Sequence, residues 1–228
     1  RAAVAKDSSE SLLAMASARF SDAVVPSSVP AAPAVCAASP KAGRSDERLL
    51  KTLSDAFEQR PVWLQGPLEH RLSKQLSFDV LSRLLSKVAY QWSDGPWHMA
   101  FTRNGWDPRQ HPEEAKWLQV IDFRDPAFRE RKRRSSRTGP EVAGSATVDH
   151  NFRHPPTLRT QLYQFVDIQD KFVKDLVGSS KPISECSHKT GWLDTVVYEA
   201  AHERLVMRSQ QLRERQKLRD GGAAAEAP

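Results

Sequence analysis

The 228-residue chain has 34 Lys and Arg against 28 Asp and Glu, a formal charge of +6, and 39% hydrophobic residues. Its apolar runs fall short of the ~20 residues that cross a bilayer, which leaves out a transmembrane helix. Two cysteines, Cys36 and Cys186, stand 150 positions apart, too few and too distant for a disulfide scaffold or a Cys-rich zinc module, and fit a soluble, reducing setting.

Residues 1–43 hold 13 Ala, 8 Ser and 4 Pro. Leu12, Leu13, Met15, Phe20 and scattered valines offer too little apolar surface to offset the entropy of ordering. This segment reads as a disordered Ala/Ser/Pro-rich tail or linker. The chain opens on Arg1, as a fragment or processed product does, and Asp7, Glu10 and Asp22 argue against a transit peptide.

The composition then changes. Ser45 can cap a helix in which Leu49, Leu50, Leu53 and Phe57 recur at helical spacing, ended by Arg60 and Pro61. Pro61-Val62-Trp63-Leu64 suits a single extended step, and Pro67 suits the first position of a short helix over residues 68–74. Ser77 caps a third helix whose stripe is Phe78, Leu81, Leu84, Leu85 and Val88. Residues 88–92 are rich in strand formers, Ser93-Asp94-Gly95-Pro96 is a turn, and residues 97–102 are extended again. After a second turn, residues 116–123 alternate as a strand with both faces partly covered.

Three helices followed by a hairpin is the order of a winged helix-turn-helix. There the third helix can enter a major groove and the wing can touch the backbone, although the same order also serves modules that bind only protein. Residues 45–128 carry 11 bases and 12 acids, a net of −1. Residues 129–137 (RERKRRSSR) carry six bases and one acid, a net of +5 that leaves +1 for the other 219 residues. A run of like charge repels itself into a solvated segment and serves as a linker, an import signal or a phosphate contact. Beyond it, residues 141–156 read as loop and residues 158–165 as extended. Asp167 is placed to cap a helix ended by Gly178, and a long polar helix covers about residues 193–220.

The expected class is therefore α+β: a winged helix-turn-helix core with an appended strand/helix region, a long C-terminal helix and a disordered N-terminal tail. The expected division is a tail over 1–43, a winged-helix domain over 44–128, a basic flexible linker over 129–155, a C-terminal helical extension packing on the core over 156–220, and a disordered tail over 221–228.

No catalytic constellation stands out: there is no G-x-S-x-G, no Gly-rich phosphate loop with Lys-Ser/Thr, and no H-E-x-x-H. Asp149, His150 and His154 have helical metal-ligand spacing, but Pro155-Pro156 follow at once and oppose a helix. Cys186-Ser187-His188 pairs a thiol with a base, against the blander reading of an idle cysteine. Five of six tryptophans (Trp63, Trp92, Trp97, Trp106 and Trp117) fall within 55 residues. They either stack on exposed bases or fill the core of a small domain, and their spacing follows element ends, which favours the core.

Arg60-Pro61-Val62-Trp63, Ala89-Tyr90, Gly95-Pro96-Trp97, Arg103-Asn104-Gly105-Trp106-Asp107-Pro108-Arg109 and Leu118-Gln119-Val120-Ile121-Asp122-Phe123-Arg124 resemble the fifth-subunit family of general transcription factor IIIC. Tyr163-Gln164-Phe165-Val166-Asp167-Ile168, Cys186 and Gly191-Trp192-Leu193 extend the resemblance to about residues 45–206. It implies a nuclear subunit of the factor that recognises internal promoters of tRNA and 5S rRNA genes for RNA polymerase III. This part would be the DNA-binding half, a winged helix associated with the A box, without the family's amino-terminal dimerisation barrel. His98 stands where the family pattern has Arg, so a phosphate contact from that family residue is not carried over to this position.

The expected function is thus a non-enzymatic, DNA-binding subunit with no cofactor, no metal, no membrane and no small-molecule substrate. Its partners are double-stranded DNA and sister subunits of the factor. Lys74, Arg83 and Lys87 would face the duplex from the helix pair, Arg103 and Arg109 from the wing and the turn after it, and Arg131, Lys132, Arg133 and Arg134 from the cord. Arg83 is the strongest base-reading side chain. The rival readings are a module that docks sister subunits without reading DNA and an RNA-binding or ribosome-associated basic protein.

Overall fold

Leu53, Ala56 and Phe57 share one buried face of the first helix, α1 (Gly43–Gln59). The backbone N–H of Arg60 still donates to Ala56, and Pro61 then forces the chain into the extended strand β2 (Val62–Trp63). The computed structural model that shows this describes residues 15–26, 43–72, 78–128 and 149–225. Helix α2 (Gln65–Arg71) begins three residues earlier than its apolar residues suggest. Pro67 sits inside its first turn, where a missing N–H leaves no helical bond unmade. Helix α3 (Phe78–Val88) buries Leu81, Leu84 and Leu85 and passes without a loop into strand β3 (Ala89–Trp92).

Strand β4 (Phe101–Arg103) pairs antiparallel with β3 on one side and with β2 on the other. Three helices and a three-stranded sheet thus make the expected winged helix. The hairpin between β3 and β4 is less free than a wing that projects into solvent. The turn expected at Gly95-Pro96 is a 3-10 turn that also takes in Trp97, expected as strand, and Trp97 is wholly buried. Val120 and Trp192 from later in the chain belong to the same core as Trp92 and Trp97.

The outer edge of β3 is covered by β1 (Ser17–Ala18), which pairs with it in parallel and makes the sheet order β1-β3-β4-β2. Residues 15–26 therefore correct the expectation of a disordered tail over residues 1–43. Ala18 and Val25 are buried, and the backbone of Ala16 and Ala18 accepts from Gln91 and Ser93. Small residues carry a weak hydrophobic signal, but an open strand edge offers hydrogen bonds that do not depend on side chains.

Lys116, Trp117 and Leu118 belong to a helix, α4 (Pro112–Leu118), and only then does strand β5 (Val120–Arg124) begin. Pro112 at the helix start, with Glu113 and Glu114 in the first turn, outweighs the alternation that suggested strand. Strand β5 pairs antiparallel over five residues with β6 (Thr160–Gln164) and uses both faces. Val120 enters the tryptophan-rich core, while Ile121 and Phe123 enter a second core with Phe152, Tyr163, Phe165, Val173, Leu193 and Leu205. Helices α5 (Lys171–Ser179), capped by Asp170 rather than Asp167, and α6 (Thr195–Ala225) complete that unit. Among the described residues no helix is long and apolar enough to cross a membrane.

Residues 149–155 do not behave as the end of a flexible linker. The Asp149 carboxylate accepts backbone N–H bonds from Asn151, Arg153 and His154, and Phe152 is buried in the second core at φ 57°. A boundary between 128 and 156 would cut the β5–β6 sheet. Of the cord itself, residues 129–148 lie outside the described residues, as does the tail at 226–228; residues 221–225 are still helical.

Candidate nucleic-acid interface

On α3 the apolar residues face the core, so Arg83 and Lys87, four positions apart, share the outer face. Because α3 runs straight into β3, the sheet register then decides what lies beside it. Ala89 pairs with Arg103, and Asn104 donates to the carbonyl of Val88 over 3.0 Å. Arg83 and Lys87 thus lie on the outer face of α3, and Arg103 lies on the strand paired beside its end. Two of these bases are tied to α1: Arg83 Nη1 lies 2.7 Å from Asp46 Oδ2, and Arg103 Nη1 lies 2.6 Å from Glu58 Oε2. Exposed pairs of this kind contribute about 0–1 kcal/mol. They steady the side chains and lower the charge of the face without removing the bases from competition for a phosphate.

Arg109 does not join them. Asp107 caps the 3-10 turn Pro108–Gln110 through the Arg109 N–H and also accepts from the Arg109 guanidinium, with Nη2 at 2.8 Å. Nη1 donates to the carbonyls of Phe20 and Asp22, and the guanidinium carbon stands 5.4 Å from the centre of the Trp92 ring. Donating to the Asp107 carboxylate raises the guanidinium pKa further. The expected phosphate contact is corrected: Arg109 clamps residues 20–22 to the sheet. Lys74, Arg131, Lys132, Arg133 and Arg134 lie outside the described residues.

The motif residues turn out to build a joint between the winged helix and the β5–β6 unit. Arg60 donates to both Asp167 oxygens at 2.7 and 2.8 Å and lies 4.2 Å over the Trp63 ring. Gln164 accepts from Leu64 N–H at 2.8 Å and donates to the Leu118 carbonyl at 2.6 Å. Gln119 accepts from Trp192 N–H and donates to the Thr190 carbonyl, while the Trp192 indole donates to Pro108. Reading the residues one by one missed these roles, since Arg60 and Asp167 are 107 positions apart. The signal available was a polar residue inside an otherwise apolar motif, such as Gln119 and Gln164, which needs a partner when buried.

The tryptophans resolve the same way. Trp63, Trp92, Trp97 and Trp106 are buried and Trp117 is half-buried against the second core, so the core reading holds for these five and no stacking platform for bases is formed by them. Burial pushes the Cys186 thiol up to about 12, which opposes a nucleophilic thiolate. Among the described residues no group of three metal-ligating side chains occurs. Asp149 is occupied by the backbone, and burial lowers the pKa of His150.

A family model described as an RNA polymerase III transcription factor (TF)IIIC subunit HTH domain, Tau95, matches residues 2–124. The chain belongs to that family. The Tau95 match runs from before β1 to the end of β5, across the whole winged helix. General transcription factor 3C polypeptide 5 of Mus musculus is 39% identical over 79 residues, covering 35% of this chain and 15% of that protein. Transcription factor tau subunit sfc1 of Schizosaccharomyces pombe is 28% identical over 147 residues, covering 64% of this chain and 29% of its own length. The chain thus spans less than a third of these curated relatives. A solved structure named Sfc1-DBD superposes with a TM-score of 0.65 at 23% identity, over 89% of this chain and 90% of that one. That likeness shows a shared fold for the winged helix and the unit behind it.

Proposed function

We propose that this chain is a non-enzymatic DNA-binding part of a nuclear transcription factor IIIC subunit. It contacts the internal A-box promoter of tRNA-type genes and works with sister subunits of that factor. The observation that carries this is the Tau95 helix-turn-helix match laid over a winged helix whose third helix presents Arg83 and Lys87 on its outer face, with Arg103 on the strand paired beside its end. A structure named as a DNA-binding domain with the same fold supports it. Phosphate contacts from these bases, with Lys74 and the Arg131, Lys132, Arg133 and Arg134 cord, would supply most of the affinity. Base selection is left to few side chains.

A titration of the full chain with tRNA-gene and scrambled duplexes, read by fluorescence anisotropy at several salt concentrations, tests this reading. Binding at low salt with a steep salt dependence and a modest sequence preference is the expected result. No duplex binding at low salt overturns it. The second reading, docking of sister subunits without DNA contact, is favoured by the carboxylate partners of Arg83 and Arg103 and by the −1 charge of residues 45–128. It predicts no binding to duplex and capture by other subunits of the factor.

A further inference from the structure

Helix α6 packs through Ala201, Leu205, Ser209 and Leu212, all buried, and Arg213 makes the last tie to the body through Asp125 and the Pro156 carbonyl. Beyond that tie every side chain from Glu214 to Arg219 is exposed, including the hydrophobic Leu218 at 77%. The helix therefore overhangs the unit from which it grows. Residues 208–219 carry Arg208, Arg213, Arg215, Lys217 and Arg219 against the single acid Glu214, a net of +4, while residues 45–128 carry −1.

The placement of these bases is regular. Arg208, Arg215 and Arg219 are separated by seven and four residues, which at 100° per residue keeps them within about 20° of one line. At 1.5 Å per residue they span about 16 Å along the helix. Unlike Arg83 and Arg103, they form no ion pair with any side chain among the described residues. A row of guanidiniums, half-exposed at Arg208 and exposed at Arg215 and Arg219, is complementary to a repeating line of phosphates.

We infer that the overhanging half of α6 is a phosphate-contacting arm that lies along the backbone of duplex DNA, independently of base sequence, beside the contact made by α3. This deepens the DNA-binding reading above and rests on it. The arm makes the duplex footprint longer than the winged helix alone allows, and it supplies positive charge that the near-neutral winged helix lacks.

The test compares the full chain with its Arg215→Gln/Lys217→Gln/Arg219→Gln variant on the same duplexes. These side chains are exposed, so far-UV circular dichroism and the melting temperature should be unchanged. Each lost phosphate contact removes about 0.9 from the slope of log affinity against log salt, so the slope should become shallower by about 2 to 3. The loss should be equal on promoter and scrambled duplexes, and Arg215→Lys/Arg219→Lys should keep the slope. If the unmodified chain binds and the glutamine variant keeps both affinity and slope, the arm is overturned while the DNA-binding reading stands. If the unmodified chain does not bind duplex, both fall.

Discussion

Arginine serves opposite ends in two regions of this molecule. In the joint, Arg60 and Asp167 keep only 12% and 15% of their side-chain surface exposed, and the guanidinium is held by both carboxylate oxygens and the Val62 carbonyl. On α3, Arg83 keeps 47% exposed and meets one carboxylate oxygen. A guanidinium enclosed by acceptors is a structural tie, because releasing it strands a desolvated partner. One at the surface is a movable charge whose pair is easily exchanged for a phosphate. The residues that make the chain recognisable in its family lie mostly in the first class, and those available to a polyanion in the second.

The largest effect should come from breaking the joint. Arg60→Ala leaves the Asp167 carboxylate without its donor and should destabilise the fold by about 2 to 3 kcal/mol, read as the shift of a urea midpoint. Arg60→Lys should recover only part, since an ammonium cannot match the bidentate geometry. An effect within about 0.5 kcal/mol would place Arg60 in the exposed class.

Gly191 is next. Its φ of 61° favours glycine, and an added Cβ would stand 2.3 Å from Gln119 Oε1 and 3.0 Å from Pro96 Cβ. Gly191→Ala should lose about 2 kcal/mol, a melting shift of roughly 4 to 8 °C for a chain of this size.

A smaller effect concerns pH. Burial alone would raise the Asp170 pKa, but hydrogen bonds from Arg204 and from the Val173 N–H outweigh it and hold the carboxyl below its ordinary value. Its contribution to stability is therefore complete above the unfolded value of about 4 and fades as pH falls through the lower folded value. Stability measured against pH should drop on that acid side, and Asp170→Asn should flatten the drop. An unchanged profile would mean that Arg204 is not its partner in solution.

The smallest change in stability, at most about 0.5 kcal/mol, is expected for Asp46→Asn, which frees Arg83. The same variant should raise affinity for duplex slightly and steepen its salt dependence. Weaker binding would show that Asp46 positions Arg83 rather than competing for it.

The order of helices and hairpin in residues 45–103 was legible because helical and strand periods are local properties of side-chain spacing. Less legible were segments whose structure depends on distant partners. The Ala- and Ser-rich residues 15–26 are ordered by the edge of β3 and by Arg109, 87 and 89 positions from the carbonyls it binds. Residues 116–118 alternate like a strand yet form the last turn of α4, since Pro112 at the helix start and the glutamates of the first turn outweigh a short alternation. For the candidate site, the outward placement of Arg83 and Lys87 was legible from the apolar stripe on the other side of α3. Arg109 was misread because the Asp107 carboxylate two residues away, visible in the sequence, was not weighed against a phosphate.

By itself the sequence determined a winged helix at the centre, a long polar helix at the end, and membership of a transcription factor IIIC subunit family. Tertiary structure alone decided which arginines are ties and which are free. That assignment depends on burial and on acceptors brought together from as far as 107 residues away, and a linear pattern of charges contains neither.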